Sequence, residues 1–95
     1  MIISFKDKET EKVFNQIYSS KVPLNVQKTG LRKLQLIDLA TQYMDLSSPP
    51  SNHLEKLSGE LNSKWSIRIN DQWRIIFKPS DDWKNFYEVE IIDYH

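Results

Sequence analysis
The chain has no cysteine, which removes both a disulfide framework and a thiolate metal site. Glycine is nearly absent too. Gly30 and Gly59 are the only two, so there is no glycine-rich phosphate loop and no nucleophile elbow. His53 and His95 are the only histidines, and no H-x-x-x-H or comparable spacing exists, so no metal is expected. No apolar run approaches membrane-spanning length, and Met1 to Phe5 lacks a basic region followed by a long apolar stretch. The expectation is a cytoplasmic protein with no membrane partner and no cofactor. Net charge of either sign is also missing: 13 Lys and Arg balance 13 Asp and Glu. This argues against wholesale electrostatic capture of nucleic acid, and any such site must be built locally from a few placed cations.

What is present is a sharply patterned hairpin, K-W-S-I-R-I-N-D-Q-W-R-I-I-F-K, from Lys64 to Lys78. Trp65, Ile67 and Ile69 alternate with Ser66 and Arg68, and Trp73, Ile75 and Phe77 alternate with Arg74 and Lys78. A period of two marks strands with one buried face. A three-residue turn at Asn70-Asp71-Gln72 sets Ile69 opposite Trp73, Ile67 opposite Ile75 and Trp65 opposite Phe77. A two-residue turn would send the two apolar sets to opposite faces, which a half-buried hairpin resists. The favoured register makes Arg68 and Arg74 direct neighbours on the other face, at a cost of roughly a few tenths of a kcal/mol. A carboxylate from a neighbouring strand, or an anion from outside, is expected to compensate them.

The rest of the chain reads as one α+β domain over residues 1–95. Ile2 to Phe5 is a candidate edge strand. Asp7 is positioned to cap a helix that carries Val13, Phe14, Ile17 and Tyr18 on one face. After Pro23, Asn25 is the expected cap of a second helix running to about Asp45, with an apolar stripe of Leu31, Leu34, Leu36, Ile37, Leu39, Ala40, Tyr43 and Met44. Ser47 to Ser51, with Pro49 and Pro50, ends it. His53 to Gly59 reads as a turn or short strand, and Pro79 to Asn85 as a polar connection that leaves Trp83 exposed. A last strand begins at Phe86, with Tyr87, Val89 and Ile91 facing in and Glu88 and Glu90 facing out.

Chemistry concentrates at two places, the arginine pair and the terminal Asp93-Tyr94-His95. One reading has Glu88 and Glu90 simply pairing with the arginines on a solvated sheet face. The other is attack on an RNA phosphodiester by its own 2′-hydroxyl, which needs a base, cations for the phosphorane and an acid for the departing 5′-oxygen. Arg68 and Arg74 suit the phosphorane, because guanidinium forks match phosphate oxygens and stay charged. His95 suits the acid, Tyr94 can stack on or orient the nucleotide, and Asp93 can hold His95 or share the base role. Glu55 is the other candidate base. His53, Lys56 and Lys64 are further candidates for RNA contact, although a lone loop histidine is more often a solvated surface residue. Lys12, Lys21, Lys28, Arg32 and Lys33 form a cationic set on the helical half, for which an ordinary solvated helix face is the commoner case.

F-K-D-K near the start, N-H-L-E-K-L-S-G-E-L before the hairpin, W-S-I-R-I-N-D-Q-W-R-I-I-F and the terminal I-I-D-Y-H together resemble HigB-type toxins of the RelE/ParE superfamily. The resemblance spans nearly the whole chain. It implies two N-terminal helices packed on a twisted antiparallel sheet, a RelE-like fold similar to microbial ribonucleases. It implies a bacterial type II toxin that cleaves mRNA in the ribosomal A site, neutralised by a HigA-like helix-turn-helix antitoxin. Under it, Asp93, Tyr94 and His95 match the catalytic terminus and Arg74 the phosphate-binding arginine. Arg68 occurs in many members and is replaced in others. Some members carry histidine at the position of Glu55 and lysine at that of Ser58; others have glutamate at the first, as here. The same resemblance admits a ParE-like inhibitor of DNA gyrase, which would not need the terminal trio, and a decayed toxin kept for antitoxin binding.

Overall fold
The computed structural model describes residues 1–59 and 63–93. Strands β1 (Glu55–Lys56), β2 (Trp65–Arg68), β3 (Trp73–Pro79) and β4 (Phe86–Asp93) form an antiparallel sheet in the order β1-β2-β3-β4. The hairpin takes the register that parity demands: Trp65 pairs with Phe77, Ile67 with Ile75 and Arg68 with Arg74. Asn70 holds its turn, the side-chain Oδ1 accepting from the backbone N–H of Gln72 and of Trp73, each at 2.8 Å. Asparagine favours turns because its side chain can replace a backbone acceptor in this way. The N-terminal segment lies parallel to β4, with Ile2 bridging Phe86 and Phe5 bridging Val89.

Helix α1 (Lys8–Phe14) starts at Asp7, whose Oδ1 accepts from the Thr10 N–H at 2.7 Å. Such a cap is worth about 1 kcal/mol. The chain leaves the helix through Gln16, at φ 61°, so Ile17 and Tyr18 lie past its end and exposed instead of on its buried face. Helix α2 (Leu24–Leu39) has Pro23, not Asn25, at its cap position, and it ends at Leu39, short of the expected Asp45. Ala40 is extended there, and the Thr41 N–H donates to Asp45 Oδ2 at 2.9 Å, opening a separate turn of helix, α3 (Met44–Ser47). The break leaves Leu39 and Met44 exposed, while Tyr43 meets Trp65 and Trp83 edge-on.

The core fills the layer between α1, α2 and one sheet face. Ile67, Ile75, Phe77, Phe86 and Val89 are fully buried there with Leu34 and Ile37. Complete burial of side chains this large contributes about 1.5–3 kcal/mol each. Helix α1 is tied down by Thr10, whose Oγ1 accepts from the Ile91 N–H at 2.9 Å. Gly30 marks a close approach of α2 to the sheet, since a Cβ there would touch Ile91 Cδ1 at 3.4 Å.

Two expectations are corrected in β4 and the turn before it. Glu88 has φ 52° and the β3–β4 ladder shifts register between Ile76 and Lys78, so a bulge interrupts the alternation. Phe86 therefore points inward and Tyr87 is exposed, while Val89 and Ile91 face in as anticipated. Trp83 is half-buried rather than exposed, because the connection folds back through Ser80 N–H to Asn85 O at 2.8 Å. Its ring lies 5.0 Å from both Tyr43 and Trp65 and 6.2 Å from Phe77. Among the described residues no helix is long and apolar enough to cross a membrane.

Candidate functional site
Alternation along β2 and β3 sends Ile67 and Ile75 toward the helices and Arg68 and Arg74 to the opposite face. Arg74 is the better anchored of the two, its side chain 12% exposed. Its Nε donates to Ser66 Oγ at 2.9 Å, and its Nη2 donates to the His53 carbonyl at 2.6 Å. Glu55 Oε1 stands 3.6 Å from the same Nη2. Arg68 is bonded to Asp71 through Nη2, and its Nη1 lies 3.5 Å from His53 Nε2. Among the described residues, Glu55 on β1 and Asp71 in the turn supply the expected compensation of the pair.

Glu88 and Glu90 do not serve the arginines. Glu88 pairs with Lys64 at 3.6 Å, and Glu90 is the ladder partner of Ile76. Burial pushes the Glu90 carboxyl above the usual glutamate range, against the opposing pull of Lys6 and Lys64.

His53 is delivered by a 3₁₀ turn at Pro50–Asn52 and is itself left-handed, at φ 45°. Asn52, fully buried, fastens that turn: its Nδ2 donates to the Leu46 carbonyl at 3.1 Å, and its Oδ1 accepts from Lys33 Nζ. The His53 main chain is fixed by this clamp while its ring stays exposed. Neither Asn52 nor Ser66 stood out in the sequence. The parity that sets Arg68 on the outer face sets Ser66 there as well, so Ser66 was within reach; no periodicity pointed to the role of Asn52.

Of the other described candidates, some adjoin the arginine pair and others lie apart from it. Asp93 is the ladder partner of Trp73 and accepts from Gln72 Nε2 at 3.0 Å, so it stands at the turn end of the sheet. Tyr94 and His95 lie outside the described residues. Lys56 is paired with Trp65 and is exposed beside Trp83, whereas Lys64 is 7% exposed and engaged with Glu88. Lys12 pairs with Glu9 at 3.4 Å, and Lys28 borders an apolar groove with Val13 and Leu31. Arg32 and Lys33 instead line a cleft with His53 and Arg68. No group of three or more His, Cys, Asp or Glu among the described residues is placed to hold a metal ion.

Chemically, the outer face offers two guanidinium groups whose counter-ions are replaceable. The Asp71 side chain is 94% exposed and that of Glu55 56%. The open Arg68–Asp71 pair is worth about 0–1 kcal/mol, so a phosphate oxygen can take that carboxylate's place; at the more enclosed Arg74, Glu55 is the half-exposed partner.

This combination of sheet order and helices is a small α+β fold shared with solved structures. The chain of a YoeB–YefM toxin–antitoxin complex from Staphylococcus aureus superposes with a TM-score of 0.61 over 100% of this chain and 95% of that one, at 23% identity. A YoeB/ParE toxin from Agrobacterium tumefaciens does so with a TM-score of 0.52 over 99% and 96%, at 14% identity; both likenesses concern the fold alone. Residues 3–95 match the family described as the RelE-like toxin of type II toxin–antitoxin system HigB, and the chain belongs to that family. Toxin HigB-1 of Vibrio cholerae is 37% identical over 82 residues, 85% of this chain and 86% of the relative. Endoribonuclease HigB of Proteus vulgaris is 33% identical over 95 residues, the full length of both.

Proposed function
We propose that this type II toxin is an endoribonuclease that cuts mRNA in the ribosomal A site and is neutralised by a HigA-like helix-turn-helix antitoxin. The observation that carries the reading is the guanidinium pair on the outer sheet face, with Arg74 aimed by Ser66 and the His53 carbonyl. The name of the Proteus vulgaris relative, an endoribonuclease, supports RNA as the substrate. A neutral net charge fits a protein to which a larger assembly presents the strand, in place of one that grips free RNA.

In this mechanism the 2′-hydroxyl loses its proton to a base and attacks the adjacent phosphorus, giving a phosphorane. Collapse forms the 2′,3′-cyclic phosphate and releases the 5′-oxygen, which takes a proton from an acid. Arg74 and Arg68 bind the non-bridging oxygens as negative charge grows on them. Glu55 is the assigned base, because it already lies at the guanidinium that would hold the phosphate. His95 is the assigned acid, with Tyr94 stacking on the nucleotide and Asp93 orienting the terminus.

Purified toxin added to ribosomes translating a defined mRNA tests this. New mRNA 5′ ends within the A-site codon, abolished by Arg74→Ala, are expected. Intact mRNA together with blocked supercoiling would replace the nuclease reading with gyrase inhibition.

A further inference from the structure
A cleft of about 510 Å³ opens between α2 and the hairpin turn, lined by Thr29, Arg32, Lys33, His53, Arg68 and Asn70 among others. Its charge is one-sided: no Asp or Glu lines it among the described residues. Within the same described set, neither Arg32 nor Lys33 has a carboxylate within 4 Å. Among the described residues Lys33 is bonded to a neutral acceptor alone, Asn52 Oδ1, and burial with the nearby charge of Arg32 lowers its pKa. Two adjacent cations without a counter-ion, one of them partly desolvated, are unfavourable until an anion arrives.

The cleft shares a wall with the arginine pair. His53 and Arg68 line it, His53 Nε2 is 3.5 Å from Arg68, and the His53 carbonyl is bonded to Arg74. We infer that this cleft holds the backbone phosphate next to the scissile one on the same RNA strand, with Arg32 and Lys33 as its cations. The assignment rests on the nuclease reading for its substrate and adds a second phosphate subsite to it. A bound strand continuing past the Arg68–His53 wall enters the cleft, where Thr29 and Asn70 supply polar groups for a sugar hydroxyl. Arg32 then sets the register of the strand, while Lys33 adds charge to the cleft and also holds Asn52 beneath His53.

Single-turnover cleavage on ribosomes should be measured with mRNAs carrying one neutral methylphosphonate, either immediately 5′ or immediately 3′ of the scissile linkage. One of the two should slow the wild type about tenfold in kcat/KM, the loss of one charge-assisted contact. Arg32→Ala, which leaves the Lys33–Asn52 bond in place, should slow native mRNA by a similar factor and be indifferent to that methylphosphonate. Equal further slowing in this variant overturns the assignment. So does a slowed variant when neither methylphosphonate affects the wild type, an outcome that points to ribosomal RNA as the phosphate source.

A second arm is independent of cleavage. A trinucleotide with 2′-O-methyl groups, unable to react, is titrated into the wild-type protein and the side-chain Nε–H signals of arginine are followed by NMR. Arg32 should shift together with Arg68 and Arg74. Shifts at Arg68 and Arg74 alone overturn the second subsite and leave the nuclease reading standing. A wild type that cleaves nothing on ribosomes, yet shows the Arg32 shift, overturns the nuclease reading and leaves the phosphate subsite standing.

Discussion
Replacing Arg74 with lysine separates charge from geometry at the proposed phosphate site. Lysine keeps the positive charge but has no Nε donor for Ser66 Oγ, 2.9 Å away, and no second nitrogen directed at the His53 carbonyl, 2.6 Å away. Ser66 is fully buried, so its hydroxyl is left without this partner and the fold should lose about 1–2 kcal/mol. The larger effect is on the reaction. An ammonium meets the phosphorane as a single point, where the guanidinium offers a planar fork. Loss of one transition-state donor costs about 2.7–4 kcal/mol, so cleavage should fall about a hundredfold to a thousandfold. Urea unfolding gives the first number and single-turnover cleavage of ribosome-bound mRNA the second. If Arg74→Lys cleaves within about threefold of wild type, under ~1 kcal/mol in barrier, while its unfolding midpoint falls as expected, then the fork aims nothing and the reasoning fails.

Glu55→Gln keeps the shape beside Arg74 but removes the base; single-turnover cleavage should drop at least about tenfold with ribosome binding unchanged, and an unchanged rate places the base elsewhere. Asn52→Ala should destabilise the protein by about 2 kcal/mol in urea, since the Leu46 carbonyl loses its partner in a fully buried site; a loss below ~0.5 kcal/mol would show that the clamp contributes little. Glu90→Gln should make the protein more stable at pH 7. The carboxyl of Glu90 is raised above its ordinary 4.5, so the stability it lends as the neutral acid is complete below pH 4.5 and is lost as pH rises through its folded value. The advantage of glutamine should therefore vanish in urea melts at or below pH 4, and an advantage independent of pH would contradict the assignment.

How far the sequence could be read depended on whether a rule of period was left undisturbed. From Trp65 to Phe77 the alternation is clean, and parity alone yields the register, the turn length and the Arg68–Arg74 contact. In β4 the same rule holds for Val89 and Ile91 but fails at Tyr87, because the bulge at Glu88 inserts a residue that carries no local signature. The helical stripe past Leu39 continues smoothly in sequence; the chain breaks there because Asp45 offers Thr41 a side-chain acceptor that a helix would not use. Trp83 sits in a run of polar residues, and only the return of the chain onto Trp65 and Phe77 buries it. Of the site, the cations were legible and Ser66 was within reach by the same parity, but the roles of Asn52 and Asp71 were not. Asn52 and Asp71 act through a turn and a loop whose shape no periodicity describes.

The central claim is that both guanidinium groups of the hairpin grip one phosphate. The direct measurement is the position of the scissile linkage in a cryo-electron microscopy map of the toxin on a ribosome, with an mRNA bearing 2′-deoxyribose at the attacking position. The account predicts the phosphate within hydrogen-bond distance of Arg74, with Arg68 on the same group, Asp71 displaced from it and Glu55 facing the attacking 2′ position. A scissile phosphate seated over the helical face, with both arginines still bound to their carboxylates, would contradict it.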